Sequence, residues 1–411
     1  MTEEQDNQVQ QEINKAINFL GQNKFLEAEN TCLKIIDTGD NADAYHILSS
    51  IKIYQQEFED SIKYVKKSIA INDGNPGYHV TLGCAYSAKE DYESSIIAFK
   101  SAIKINNKIA QVHFYLGESY RKLKKYNDAI SSFYNTTELS PDHVGAYLLL
   151  GVVYQEKKQF DLSIKAFQKC IEIMPDYAEA HLNLGLCYLL IGDYENGWRE
   201  YEWRRKIIKE SSDKLSREWS GQNLENKTLL VLDEGADGNL IHFIRLIREL
   251  KKESCKVAVQ CSEEAIPLIK NQKWIDKAIT ADDFPEHDFY IPIGSLMNVL
   301  KYNPNHHDQI FPYIEVDADK ISKKDTDQVN IGLVFETDRN SNAHDDESID
   351  PGLFENIFNQ EHNVICLDKY VTNETLPNYC SKHITYSNLQ DLSIVISLSL
   401  IHISEPTRPT P

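Results

Sequence analysis

The sequence predicts two architectures in series: an all-α superhelix of stacked helical hairpins over residues 1–205, then an α/β fold built on a parallel sheet. Three observations predict them. A Leu-Gly pair with a tyrosine three residues later recurs every 34 residues, as Leu82-Gly83/Tyr86, Leu116-Gly117/Tyr120, Leu150-Gly151/Tyr154 and Leu184-Gly185/Tyr188. The aromatic series Phe99, Phe133, Phe167 and Tyr201 keeps the same interval. That interval breaks at Gly197-Trp198, beyond which strand-like runs alternate with helical ones.

Each 34-residue unit reads as a helical hairpin. Small residues hold one register of the first helix (Ala16, Ser49, Gly83, Gly117, Gly151, Gly185) and one of the second (Ala28, Ser61, Ser95, Ala129, Ser163, Gly197). Closely crossing helices need small side chains there. The recurrent tyrosine and phenylalanine then fill the space between hairpins, and Pro141 and Pro175 stand where a helix must stop. By period, the well-kept units are 76–109, 110–143, 144–177 and 178–205. Units 9–41 and 42–75 are degenerate: in the second, Ser49 replaces glycine, Lys52 the tyrosine and Val65 the phenylalanine.

These small, aromatic and proline positions resemble those of the tetratricopeptide repeat, which implies a solenoid whose first helices line a concave, peptide-binding surface. Carried onto this chain, the resemblance places Val80, Phe114, Leu148 and Leu182 in one row, then Cys84, Glu118, Val152 and Leu186, then Arg121, Gln155 and Leu189. The implied partner is a protein or peptide with hydrophobic anchors, because the row grows more apolar toward its C-terminal end. The alternative is that these side chains pack on neighbouring helices, since periodicity does not separate groove from core. Two specialisations of the family are not matched: an asparagine ladder retains only Asn183, and no carboxylate clamp is recognisable.

Composition narrows the function classes. A formal net charge of −20 argues against nucleic acid, whose phosphates call for a basic stripe. The basic clusters Arg121–Lys125 and Arg199–Lys206 read as solvated loop tips. No stretch reaches the roughly 18 apolar residues of a membrane span, and the start lacks a signal-peptide pattern, so the expected location is cytoplasmic. Eight cysteines without C-x-x-C spacing read as reduced, packed thiols. The acidic stretch 336–350 has no ligand-loop pattern and reads as solvated, with metal binding as the weaker alternative. Neither a metal nor a bound cofactor is expected.

After a junction at 206–226, Thr228–Leu232, Lys256–Gln260 and Phe289–Ile293 read as strands, with helices at Glu263–Asn271 and Gly294–Leu300. The runs GWREYEWR, REWSGQNLENKTLLVLDEG and HFIRLIREL, with Asn330–Phe335 as a second opening strand, resemble bacterial repeat proteins carrying a heptosyltransferase-like, family 9 type glycosyltransferase domain. The resemblance implies a GT-B-type fold of two Rossmann-like halves, here a first half at 227–320 and a partial second at 328–397, with a nucleotide sugar as donor. It places Asn239 where the family has its catalytic aspartate, and an amide does not accept the acceptor's proton as a carboxylate does. Asp237, two residues away, is the possible substitute. No cofactor-binding or catalytic residue is therefore secure, and the glycines of this loop are equally a plain strand-to-helix turn. His344–Ser348 also puts acids where the family is basic. The tail 398–411 resembles a translated sequencing adapter, a disordered natural tail being the alternative.

Two functions follow from different classes. One is a protein- or peptide-binding repeat scaffold carrying a degenerate or incomplete transferase-like domain. The other is a glycosyltransferase whose repeats recruit the acceptor.

Overall fold

A computed structural model describes residues 3–207, 217–234, 240, 243–250, 254–263, 265–280, 285–304, 329–333, 362–366 and 382–383. The chain divides into two compact units, Met1–Lys209 and Glu210–Pro411. The first consists of helices α1 (Glu3–Gly21), α2 (Phe25–Thr38), α3 (Ala42–Tyr54), α4 (Phe58–Ile71), α5 (Pro76–Ala88), α6 (Tyr92–Ile105) and α7 (Ala110–Lys122). It continues through α8 (Tyr126–Leu139), α9 (Val144–Glu156), α10 (Phe160–Ile173), α11 (Ala178–Leu190), α12 (Tyr194–Tyr201) and the short α13 (Arg204–Ile207). Consecutive helices pack as hairpins, α1 with α2 through α11 with α12, and each hairpin packs on the next.

The turn inside each hairpin follows from local chemistry. One residue adopts positive φ at Asn23, Gln56, Glu90, Lys124, Lys158 and Gly192. This left-handed step lets the next N–H return to the helix, satisfying an orphan carbonyl. In four hairpins that carbonyl is the recurrent tyrosine's own: Asp91 N donates to Tyr86 O (2.9 Å), Lys125 to Tyr120 (2.9 Å), Gln159 to Tyr154 (2.8 Å) and Asp193 to Tyr188 (2.9 Å). Asparagine and aspartate start several helices. Asn41, Asn75, Asp91 and Asp193 each accept a hydrogen bond from a first-turn N–H.

The small-residue registers are contacts. A Cβ added to Gly83 would lie 2.5 Å from Phe99 Cε1, one on Gly117 2.6 Å from Phe133 Cε1, and one on Gly151 would meet Phe167. Ser163 Oγ donates to Gly151 O at 2.7 Å, and the Ser49 and Ser61 hydroxyls are 2.8 Å apart. Between hairpins, each recurrent tyrosine meets the residue twenty positions before it. Lys66 and Lys100 lie over the rings of Tyr86 and Tyr120, Tyr134 bonds Tyr154 hydroxyl to hydroxyl, and Gln168 donates to Tyr188. Where Lys52 replaces the tyrosine, its Nζ lies 2.9 Å from both Glu29 and Glu57, so an ion-pair triad takes over the aromatic clasp.

The sixth hairpin departs from the series. Gly185 would place its Cβ 2.8 Å from the Tyr201 backbone N, whereas the three preceding glycines face a ring. With glycine at 197 instead of serine or alanine, the two backbones approach directly and Tyr201 is displaced from the phenylalanine site. Its ring instead carries Arg204 at 4.8 Å and meets Trp198 edge-on.

In the second unit, β1 (Arg217–Glu218), β2 (Thr228–Leu232), β3 (Lys256–Gln260), β4 (Lys277–Ile279) and β5 (Phe289–Pro292) form a parallel sheet in the order β1-β5-β2-β3-β4. Leu229, Leu230, Val231, Val257, Val259 and Ile291 are buried, as strands covered on both faces require. Asp276 and Asp288 immediately precede β4 and β5, and their carboxylates accept the N–H groups of Val257 (2.7 Å) and Thr228 (2.9 Å). Short helices α14 (Ile247–Leu250), α15 (Ile266–Ile269) and α16 (Leu296–Val299) join the strands. The last strand read from the sequence ends at Pro292, one residue early, because Ile293–Ser295 already turns as a 3-10 helix. A further parallel sheet contains β6 (Val329–Leu333), β7 (His362–Cys366) and β8 (Lys382–His383) in chain order.

Candidate functional site

The predicted first-helix rows come from α5, α7, α9 and α11, and the structure divides them. Val80, Cys84 and Phe114 are half-buried and pack on a cluster containing Phe99, Leu116 and Phe133. The Phe114 ring lies 4.7 Å from His143 and 5.9 Å from Phe133, between centroids, so it bridges to the next hairpin. Leu148 is buried at 6 % exposure with Phe167, Leu184 and Cys187, and Val152 packs on the same cluster. Leu189 fills the gap between α11 and α12: a Cβ on Gly197 would lie 2.6 Å from its Cδ2. Leu182, Leu186, Gln155, Glu118 and Arg121 are half-buried.

Electrostatics concentrate on α7. Burial raises the Glu118 carboxyl above its usual range, opposed by Arg121 and Lys122. Arg121 Nη1 lies 3.6 Å from Glu156 Oε1 on the next first helix. Cys84 is pushed up to about 11, by burial first and then by Glu118, so it is a neutral thiol at pH 7 and not a nucleophile.

A second constellation was not foreseen from the sequence. The His181 ring stacks on Trp203 with centroids 3.7 Å apart and planes within 2°. Its Nδ1 lies 2.6 Å from Glu200 Oε2 and its Nε2 2.8 Å from Pro175 O. Lys206 covers the Trp203 ring at 3.9 Å and also reaches Asp176 at 3.3 Å. The signal was present in GWREYEWR, which marks the break in period; the partner His181 lies about twenty residues upstream, beyond any local pattern.

In the α/β unit, Asp237 and Asn239 lie outside the described residues, as do 336–350 and 398–411. The strand leading toward them is described: β2 ends at Leu232, and Glu234 Oε2 accepts the Gly294 N–H at 2.8 Å just after β5. The chain leaves β2 to one side toward β3 and returns to the other at β5, so these two strand ends flank the sheet's switch point. Among the described residues no group of three or more His, Cys, Asp or Glu side chains is placed to hold a metal ion. No helix among them is long and apolar enough to cross a membrane.

Tetratricopeptide repeat models match residues 76–109 and 144–177, 111–143, and 166–198. Residues 76–198 are tetratricopeptide repeats. Solved structures similar to the chain include MamA, at 22 % identity over 42 % of this chain and 96 % of that one, TM-score 0.39. YrrB, described as a repeat protein of this type with an unusual peptide-binding site, shares 19 % identity over 43 % and 91 %, TM-score 0.38. The pilF protein of Pseudomonas aeruginosa shares 14 % over 50 % and 94 %, TM-score 0.45. No curated protein sequence matches the chain. The tetratricopeptide matches end at residue 198, where α12 shortens and its backbone closes on α11.

Proposed function

We propose that the tetratricopeptide array is a scaffold that binds a protein or peptide along its first helices, at Leu182 and Leu186 with Gln155, Glu118 and Arg121. The observation that carries this reading is the half-burial of two leucines one turn apart on α11, beside a polar edge on α7 and α9. An apolar anchor framed by a few polar groups suits an extended or helical peptide. Val80, Phe114, Leu148, Val152 and Leu189 support the groove from behind. Peptides selected against the full-length chain should lose binding to Leu182→Asp and Leu186→Asp, with the helical circular dichroism unchanged. Retained binding, or loss of helicity, overturns the assignment.

A second reading keeps the heptosyltransferase-like resemblance: a glycosyltransferase with a nucleotide-sugar donor, its acceptor recruited by the repeats. What supports it is the order β4-β3-β2-β5, which follows the doubly wound pattern, with Glu234 and Gly294 beside the switch point. The scaffold reading expects no nucleotide release from any nucleotide-sugar donor. Turnover that disappears in Asp237→Ala or Asn239→Ala decides for the transferase.

A further inference from the structure

The leucines of the four Leu-Gly pairs do not share one environment. Leu116, Leu150 and Leu184 are 6 %, 2 % and 5 % exposed, whereas Leu82 is only half-buried. His79 and Tyr86, on the same face of α5, are half-buried too, while their counterparts His113 and Tyr120 are buried. These less covered side chains floor a cleft of about 370 Å³ between α4 and α6, lined by Ile69, Leu82, Tyr86 and Ala98 and edged by Lys66 and Ile97.

Both edges are unusual for this array. Ile97 is 67 % exposed, at a position where the other second helices carry Lys63, Ser131 and Lys165. Lys66 lines the cleft, Lys63 and Lys104 stand on the same two helices, and neither helix carries a carboxylate from 63 to 71 or from 97 to 105, in a chain of formal net charge −20; Lys67 and Lys100 are turned away, over the rings of Tyr45 and Tyr120. The acids of α4 and α6, Glu59, Asp60 and Glu93, stand at the helix starts, and Glu59 is paired with Lys89. Leu82 lies two residues from both Val80 and Cys84, roughly 200° around the helix. The cleft therefore opens on the side of α5 away from the first-helix row.

We propose that this cleft docks an acidic peptide segment of a partner protein, with one aliphatic side chain seated between Ile69, Leu82 and Ile97 and flanking carboxylates meeting Lys66 and its neighbours. The apolar floor rewards burial of an aliphatic anchor. The local lysines complement a short acidic segment, whereas a long polyanion would meet the repulsion of the whole chain.

The test uses the full-length chain and a fluorescein-labelled peptide carrying glutamates around a Leu-x-x-Leu pair, read by fluorescence anisotropy. Lys66→Glu and Ile97→Asp should each weaken binding about tenfold. Lys165→Glu, on α10 and outside both the cleft and the first-helix row, should leave it unchanged, and added salt should weaken it. Both altered side chains are at the surface, and circular dichroism verifies that each variant folds. The proposal is overturned if the peptide fails to bind, if a lysine version binds equally, if both cleft variants bind normally, or if single-stranded DNA displaces the peptide.

Discussion

Glycine at 83, 117 and 151 is dictated by a ring. Because a Cβ at Gly151 would enter Phe167, Gly151→Ala should destabilise the array by about 1–3 kcal/mol, the range for overpacking, despite alanine's better helix propensity. Chemical denaturation measures this, and Phe167→Leu in the same chain should recover part of the loss. Lys124 and Lys158 present the opposite case, lysines held at φ of 55° and 58°. Replacing each by glycine should raise stability by up to about 1 kcal/mol, since only glycine adopts this conformation without steric strain. An unchanged or lowered midpoint refutes that account. At Leu148 the lesson concerns reading: VGAYLLLGVVY is apolar nearly all round, so no hydrophobic stripe separates its buried from its open face, and the leucine proves to be interior.

At the scale of elements, the hairpins were legible because their signals are local and repeated. The 34-residue interval survives in the contacts of Gly83, Gly117 and Gly151 with rings, and Pro141 and Pro175 stand just beyond the ends of α8 and α10. What was not legible depends on distance in sequence or on brevity. β1 and β4 are two and three residues long and carry too little pattern to register. The His181–Trp203 stack joins α11 to the turn between α12 and α13, and only Trp203 lies in the run that marks the break in period. In the α/β unit, Asp288 accepts Thr228 N–H and pairs with Lys227, which holds its carboxyl below the ordinary range. The depressed value fixes the sign: the contribution is present above the ordinary carboxylate pKa and is lost as pH falls through the lower, folded value. Asp288→Asn should thus reduce stability at neutral pH and flatten its acid dependence, as followed by unfolding midpoints between about pH 2 and 6. A variant with the same acid limb as the parent chain refutes the clasp.

For the molecule as a whole, a solenoid's stability is close to a sum of hairpin terms and nearest-neighbour interfaces. The interfaces differ here. Those around Phe99, Phe133 and Phe167 bury rings completely, whereas the α4–α5 junction has Val65 and an open cleft. Amide exchange should therefore be slowest in α6 to α10 and faster in α1 to α4; uniform protection along the array would contradict a nearest-neighbour description. The same unevenness explains why family patterns identify residues 76–198 and not the first two hairpins. Lys52 between two glutamates replaces an aromatic clasp with charges, keeping the geometry while removing the signature.

The stack of Trp203 on His181 also has an optical consequence. An indole stacked at 3.7 Å on an imidazole has that face shielded from water, so the emission of this tryptophan should move to longer wavelength when the stack opens. Replacing Trp198, Trp219 and Trp274 by phenylalanine would leave one chromophore located at the place where the repeat period ends. That red shift would then time the opening of the last hairpin separately from the melting of the others.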